Sequence, residues 1–224
     1  MIKNKLDPKN PKQLLVEGND DLHVIANIWK NITKDETPPF YIKDCKSINN
    51  IVPDLTAFLQ NPATIEIIGI VLDADFSIHS HWQSVRNKLL KIGYSLPEQP
   101  DINGTIIEKH GPYPRIGIWL MPDNSTTGML EDFVKYLVPE NDKLFAESER
   151  ILSEIENQNL HQYNEKIHRS KALIHTWLAW QKDPGKPMGI AIQSNFLTTH
   201  HDLCQRFVTW LNDLFNPNIQ SFSN

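Results

Sequence analysis

Three acidic residues carry the chemistry that this sequence suggests. Glu17, followed by Gly18, ends the apolar run Gln13-Leu14-Leu15-Val16, and Asp73 and Asp75 follow the run Ile65 to Leu72. In an open parallel sheet, ligands bind beyond the carboxyl ends of the strands. Neighbouring strands lie ~4.8 Å apart. If the two runs are neighbouring strands, Glu17 and the aspartates share one small volume. Residues two apart on an extended backbone point the same way, so Asp73 and Asp75 are expected to face that volume together. Carboxylates so crowded repel one another unless a proton or a cation joins them. Mg²⁺, or Mn²⁺ in its place, suits such a site, because it takes oxygen ligands and combines a few carboxylates with substrate phosphates. The chemistry expected is metal-dependent phosphoryl chemistry. Gly18 allows a tight turn and close backbone approach. The bland explanation is that these acids cap turns or helices at strand ends. Either motif alone supports no more than that, and only the pairing on two apolar strands points to a site.

The elements that must position these residues follow from periodicity and punctuation. Gln13–Val16 reads as a short buried strand. A helix is expected from about Asn19-Asp20-Asp21, which offer caps and favourable negative charge at a helix start, with Leu22, Ile25, Ala26 and Trp29 at helical spacing. Phe40-Tyr41-Ile42 is a second strand after Pro38-Pro39, and Ile51 to Gln60 a short helix. Ile65–Leu72 is the strongest strand, apolar enough to be covered on both faces. A helix over 80–92 follows it. Thr105–Glu108 and Arg115–Met121 read as two further strands, separated by Gly111-Pro112-Tyr113-Pro114. Thr126-Thr127-Gly128 opens a helix through Leu137. Strands alternating with helices predict a Rossmann-like α/β sheet of mostly parallel strands flanked by helices. After Pro139 the pattern is helical: a long amphipathic stretch from Leu144 to Ile167 with a break near 157–159, a helix over about 170–181, a loop at Asp183–Pro187 and a last helix from about Thr199 to Leu214. The expected organisation is an α/β domain over 1–138 with a helical extension, 139–224, packed on it.

Composition sets the remaining bounds. The chain has 224 residues, 40% of them apolar and 22% charged, an ordinary globular balance in a chain long enough to bury a core unaided. Cys45 and Cys204 form no CxxC pair, so reduced thiols in a cytoplasmic setting are expected. The polar start Met1–Lys5 carries no signal-like apolar region. The longest apolar run is too short to span a bilayer. The net charge of −5 argues against tight nonspecific binding to DNA or RNA, since phosphate contacts dominate such affinity. It leaves room for a local basic patch or a bridging metal.

The paired motifs Leu14-Leu15-Val16-Glu17-Gly18 and Val71-Leu72-Asp73-Ala74-Asp75 resemble the Toprim domain. That domain occurs in type IA topoisomerases, bacterial primases, RecR recombination proteins and the overcoming-lysogenization-defect nucleases. The resemblance covers roughly residues 10–137. Within it, Val16–Asp21 and Gly128–Asp132 are most similar to a little-characterised prokaryotic Toprim-like family known only as a domain of unknown function, and that likeness extends into Lys171–Trp177. The resemblance implies a general acid/base or metal-ligand role for Glu17, and Mg²⁺ held by Asp73 and Asp75. Its nuclease branch adds a downstream acid, which falls on Glu131 or Asp132, and a lysine, which falls on Lys171. The 224 residues hold no counterpart of that branch's ATPase half, so the chain is expected to act alone or with a separate partner protein. A topoisomerase or primase is disfavoured, because there is no zinc motif and no one of the five tyrosines stands out as a nucleophile.

Each further motif has a plainer explanation beside it. Glu131 and Asp132 sit where acids complement a helix macrodipole. His168, Lys171 and His175 fall on one helix face, which could contact phosphate or simply be solvated. Asp20 and Asp21 read as first-turn acids that could join a metal's outer shell. His79 and His81 follow the aspartates and could ligate, but loop histidines usually do not. His200-His201 lacks ligand spacing. Pro122–Ser125 could line the pocket or cap the next helix. The six tryptophans could stack on bases, yet Trp177 and Trp180 share helical spacing with Leu173, which favours core. Two functions compete: a Mg²⁺-dependent nuclease acting on DNA or RNA, or a related phosphotransferase, and a non-catalytic module that binds a partner protein or a small phosphorylated ligand.

Overall fold

The apolar, β-branched runs become the centre of the sheet. The computed structural model describes residues 6–59, 64–109 and 111–216. The polar start Met1–Lys5, the helix end expected at Gln60 and residues 217–224 of the helical extension lie outside the described residues. In chain order the elements are β1 (Lys12–Val16), α1 (Asn19–Thr33), β2 (Tyr41–Asp44), α2 (Ile48–Leu59), β3 (Ile67–Asp73), α3 (Ile78–Ile92), β4 (Thr105–Ile107) and β5 (Arg115–Met121), then α4 (Leu130–Lys135), α5 (Lys143–Asn157), α6 (Glu165–Ala179), α7 (Met188–Gln193) and α8 (Asp202–Phe215). The strand order is β2-β1-β3-β5-β4. The first four run parallel, and β4 is antiparallel to β5. This is the expected Rossmann-like α/β sheet with helices after it, and β1 and β3 are neighbours in register Lys12↔Ile67 to Leu15↔Ile70.

Alternation along the strands feeds two cores, as parallel strands covered on both faces require. Leu15, Ile68, Ile70, Leu72, Ile116, Ile118 and Leu120 pack against Leu55 of α2 and Trp82, Val85 and Leu89 of α3. Leu14, Val16, Val71, Trp119 and Met121 pack on the other face, against α1 and the helices that follow β5. Helix α8 packs there with Phe207, Trp210, Leu211, Leu214 and Phe215 buried. Its approach depends on residues without side chains. Gly69 and Gly117 are register partners on β3 and β5. A Cβ on Gly117 would stand 2.4 Å from Leu214 Cδ2, and one on Gly69 would stand 3.0 Å from Phe215 Cζ. Gly104, at φ +89°, faces the Trp210 ring, where a Cβ would come within 2.3 Å of Cδ1. Trp29, Trp82, Trp119, Trp177 and Trp210 are all core residues, and Trp180 is exposed.

Several boundaries differ from the sequence expectation, each for a local reason. Helix α1 has Gly18 at its N-cap with no side-chain cap, so Asn19 to Asp21 lie inside the first turn instead of capping it. Residues 126–128 stay outside α4, because Gly128 and Asp75 exchange backbone hydrogen bonds of 2.8 and 3.0 Å. Helix α6 begins earlier than expected, since Asn164 Oδ1 accepts the N–H of Lys166 at 3.1 Å and caps it there. Helix α8 begins later, where His201 Nδ1 accepts the N–H of Leu203 at 3.1 Å. Helix α7 was not expected. Its apolar run is too short for periodicity to show, and it forms against α1, where Gly189 would place a Cβ 2.8 Å from the His23 carbonyl oxygen. No helix among the described residues is long and apolar enough to cross a membrane.

The seating of α8 predicts a specific weakness. Gly104→Ala must strain a left-handed backbone and displace a rigid indole, and is expected to destabilise the fold by roughly 2–4 kcal/mol in urea unfolding. A loss below about 0.5 kcal/mol would show that the loop carrying Gly104 yields freely and that the Trp210 slot is not a constraint.

Candidate functional site

The strand order reverses at β1, with β2 on one side and β3 on the other. Such a switch leaves a crevice outside the carboxyl ends of the two strands, and the acids stand there. Glu17 follows β1, and Asp73 closes β3. The N–H of Asp73 donates to Glu17 Oε1 at 2.9 Å, and the N–H of Leu130, at the start of α4, donates to Asp73 Oδ1 at 2.9 Å. These two bonds tie β1, β3 and α4 together at one point. Gly18 is extended, at φ −145°, a conformation open to any residue. What its missing side chain provides is space, since a Cβ would stand 3.2 Å from Asp21 Oδ2.

A cleft of about 300 Å³ opens beside this junction, lined by Gly18 to Asp21, Asp73, Met129 to Glu131, His168 and Lys171. Asp21, from α1, and Glu131, from α4, are buried in it. Lys171 reaches across from α6 and places Nζ 3.1 Å from Glu131 Oε1, with half of its side chain exposed. The structure therefore brings Glu17 and Asp73 together with Glu131, one of the two acids the resemblance offered, and Lys171. It adds Asp21, which sequence reasoning left in the outer shell. A signal for Asp21 was present. It stands i−3, i−4 and i−7 from Val24, Ile25 and Ile28, so it heads the buried stripe of α1.

The charges in the cleft are unbalanced, and the titration behaviour follows. Burial pushes the Asp73 carboxyl well above the usual carboxylate range, and Asp21, Glu17, Glu131 and Asp75 push it further. Burial also raises Asp21 to about 7, with Glu17 and Glu131 adding to the effect. Glu17 is raised by burial against the opposing N–H of Asp73, and Asp75 adds repulsion. Burial works to lower Lys171, but Glu131 outweighs it and holds the ammonium above its ordinary value, helped by Asp20 and Asp73. Four other carboxyl groups thus act on Asp73, two of them, Asp21 and Glu131, lining the cleft with it, and Lys171 is the cation among the lining residues.

Asp75 does not stand as the sequence suggested. The strand ends at Asp73, Ala74 is buried, and Asp75 takes a left-handed backbone at φ 45°. The extended geometry that would have aimed both aspartates the same way is broken by the bridge to Gly128. The Asp75 carboxylate instead faces His81 Nε2 at 3.6 Å and borders a second hollow beside the first. Asp132 also parts from Glu131. It accepts the N–H of Met129 at 3.0 Å, the ammonium of Lys135 at 2.8 Å and the hydroxyl of Ser170, and so joins α4 to α6. His168 lines the cleft, while His175 and His79 are exposed. His201 caps α8, and His200 is exposed. Asn124 is buried and accepts the N–H of Leu120 at 2.7 Å. Asp123 accepts from the backbone and hydroxyls of Ser125 and Thr126, which lower its carboxyl despite burial. Pro122–Ser125 therefore closes a turn.

Among the described residues, no three His, Cys, Asp or Glu side chains form a ready-made metal cage. The donor set is nevertheless all oxygen and strongly self-repelling. That suits Mg²⁺, which keeps several waters and takes one or two carboxylates with substrate phosphate. Asp73 and Glu131 each have one oxygen committed to the contacts described and a second that is not so committed, while Glu17 also accepts from the backbone N–H of Ile48.

A family model described as "Protein of unknown function (DUF3226)" matches residues 11–216. No curated protein and no solved structure matches the chain.

The Asp21 carboxyl supplies a test of this geometry. Its unfolded value is about 3.9, and its folded value is about 7, so the native state holds a proton that the unfolded state releases between them. Its contribution to stability is full below about pH 4 and is lost as pH rises through about 7. With a chelator present, the melting temperature of the wild type relative to Asp21→Asn is expected to fall steadily across that window. A difference that stays flat from pH 4 to 7 would place Asp21 outside the charged cluster.

Proposed function

Because the chain belongs to the DUF3226 family, whose description carries no activity, we propose its function from the site: Mg²⁺- or Mn²⁺-dependent cleavage of nucleic-acid phosphodiesters. The observation that carries this reading is the convergence of Glu17, Asp21, Asp73 and Glu131 at the strand-order switch, with Lys171 delivered onto Glu131 from α6. Glu17, Asp73 and Glu131 are the residues that would hold the metal, with Asp75 at its margin. A bound Mg²⁺ would supply charge compensation, a polarised phosphate and an activated water. Lys171 is long and half exposed, so its ammonium can leave Glu131 and meet charge that develops on a phosphate. Glu17 is positioned by the N–H of Asp73 and, with its raised affinity for protons, is suited to accept one at the reacting centre. The resemblance of Leu14–Gly18 and Val71–Asp75 to the Toprim pattern supports the same assignment.

A second reading is a non-catalytic module that binds a phosphorylated ligand or a separate partner protein. The net charge of −5 favours it, because a nucleic-acid enzyme usually presents a basic surface. Calorimetric titration with Mg²⁺ separates the two, and no binding at millimolar metal favours the module.

The nuclease reading is tested with purified protein, single- and double-stranded DNA and RNA, and Mg²⁺ or Mn²⁺. Asp73→Asn keeps an acceptor for the N–H of Leu130 while removing the charge, and is expected to abolish cleavage without loss of fold. Lys171→Ala is expected to slow cleavage about 100-fold. Absence of cleavage by the wild type, or cleavage that survives Asp73→Asn, overturns this reading.

A further inference from the structure

Beside the acid cleft, and sharing Met129 with it, lies a second hollow of about 200 Å³. Phe76, the residue after Asp75, lines it and leaves 59% of its surface exposed. A single exposed apolar side chain is ordinary on a protein. This one differs in its place, since its ring borders a concave polar hollow next to the cleft. Lys166, in the first turn of α6, lines the same hollow. Of the acids there, Asp132 accepts the Lys135 ammonium at 2.8 Å, while Glu165 faces His161 at 2.9 Å and Asp75 faces His81 at 3.6 Å, pairs that are ionic only when the imidazole is protonated. Arg169 is engaged too, by Glu156 at 3.1 Å. Among the described residues, the Lys166 ammonium has no such partner. The hollow thus combines an open aromatic face with a cation available to an anion, at the edge of the acid cleft.

We propose that this hollow holds an unpaired nucleotide next to the scissile phosphate. Its base stacks on Phe76, its phosphate meets Lys166, and the site thereby selects single-stranded over duplex nucleic acid. The inference rests on the phosphodiester reading above and names its substrate class. The physical ground is the availability of a base face. In a duplex each base is stacked on both sides and leaves no face for Phe76. An unpaired base offers one, and stacking on an aromatic side chain is tolerant of base identity. Lys166 adds the phosphate contact that anchors such a strand, and does so locally in a chain whose overall charge is negative.

The test reads binding apart from cleavage. Fluorescence anisotropy is measured with labelled single strands and duplexes of one sequence, as DNA and as RNA, with Ca²⁺ replacing Mg²⁺. The wild type is expected to bind single strands more tightly than duplexes. Phe76→Ala is expected to weaken single-strand binding at least about fivefold and to leave duplex binding unchanged, while Phe76→Trp keeps wild-type affinity. Lys166→Ala is expected to weaken binding and flatten its dependence on salt. Stacking does not read the 2′-hydroxyl, so the loss in Phe76→Ala is expected on DNA and RNA alike. Single-strand affinity of Phe76→Ala within about twofold of wild type, or equal wild-type affinity for single strand and duplex, overturns the inference. If Asp73→Asn still abolishes cleavage in those cases, the phosphodiester reading stands without it.

Discussion

Crowding carboxyl groups at the end of a sheet is unfavourable, because each ionised acid raises the cost of ionising the next. That repulsion governs this molecule. It is resisted by rigid backbone: the N–H of Asp73 fixes Glu17, and the N–H of Leu130 fixes Asp73. Both bonds are made by groups that belong to packed elements, so the acids cannot drift apart to relax. What remains raises the proton affinity of Asp73 and Asp21, with burial as the largest cause, and is offset in part by the ammonium of Lys171. This unrelieved repulsion is the electrostatic ground of the metal-dependent reading proposed above.

The helices after residue 138 serve that arrangement from two directions. Helix α8 covers one face of the sheet, seated on Gly69 and Gly117 with Trp210 in the slot left by Gly104. Without it, the apolar face that carries β1, β3 and β5 would meet water, and the strand ends would lose their fixed spacing. Helix α6 buries Ile174, Trp177 and Leu178 and turns Lys171 and His168 toward the cleft. Its anchorage to α4 runs through Asp132, Ser170 and Lys135. The segment that reads in sequence as an extension packed on the core thus supplies both a covering layer and a wall of the cleft.

Legibility varied with the range of the interaction. The central strands could be read because β1, β3 and β5 are buried on both faces, so their sequences are apolar at nearly every position. Trp177 could be read as core from its helical spacing with Leu173, but Trp180, read the same way, is exposed at the C-cap of α6. Boundaries set by one capping side chain, such as Asn164 for α6, were missed by several residues, because Asn occurs at many places where no helix begins. Helix α7 was missed because its formation depends on contact with α1 through Gly189, and six residues carry too little periodicity to betray it.

For the site, the amino-acid sequence alone determined that Glu17 and Asp73 end two buried strands, and strand-end position is a local property of an apolar run. That Asp75 turns away could not be read, since its left-handed backbone is imposed by pairing with Gly128 more than fifty residues on. Asp21 differs from Asp20 in sequence only by its helical spacing to Val24, Ile25 and Ile28. Both are first-turn acids, and only the packing of α1 against the sheet buries one and leaves the other in water. Likewise, Glu131 and Asp132 are adjacent and chemically alike. The rotation of α4 sends one into the cleft toward Lys171 and the other to Ser170. Residue type decided what chemistry the acids could offer. Tertiary structure decided which of them meet, because proximity in a folded chain is set by the packing of helices whose sequence separation exceeds any local pattern.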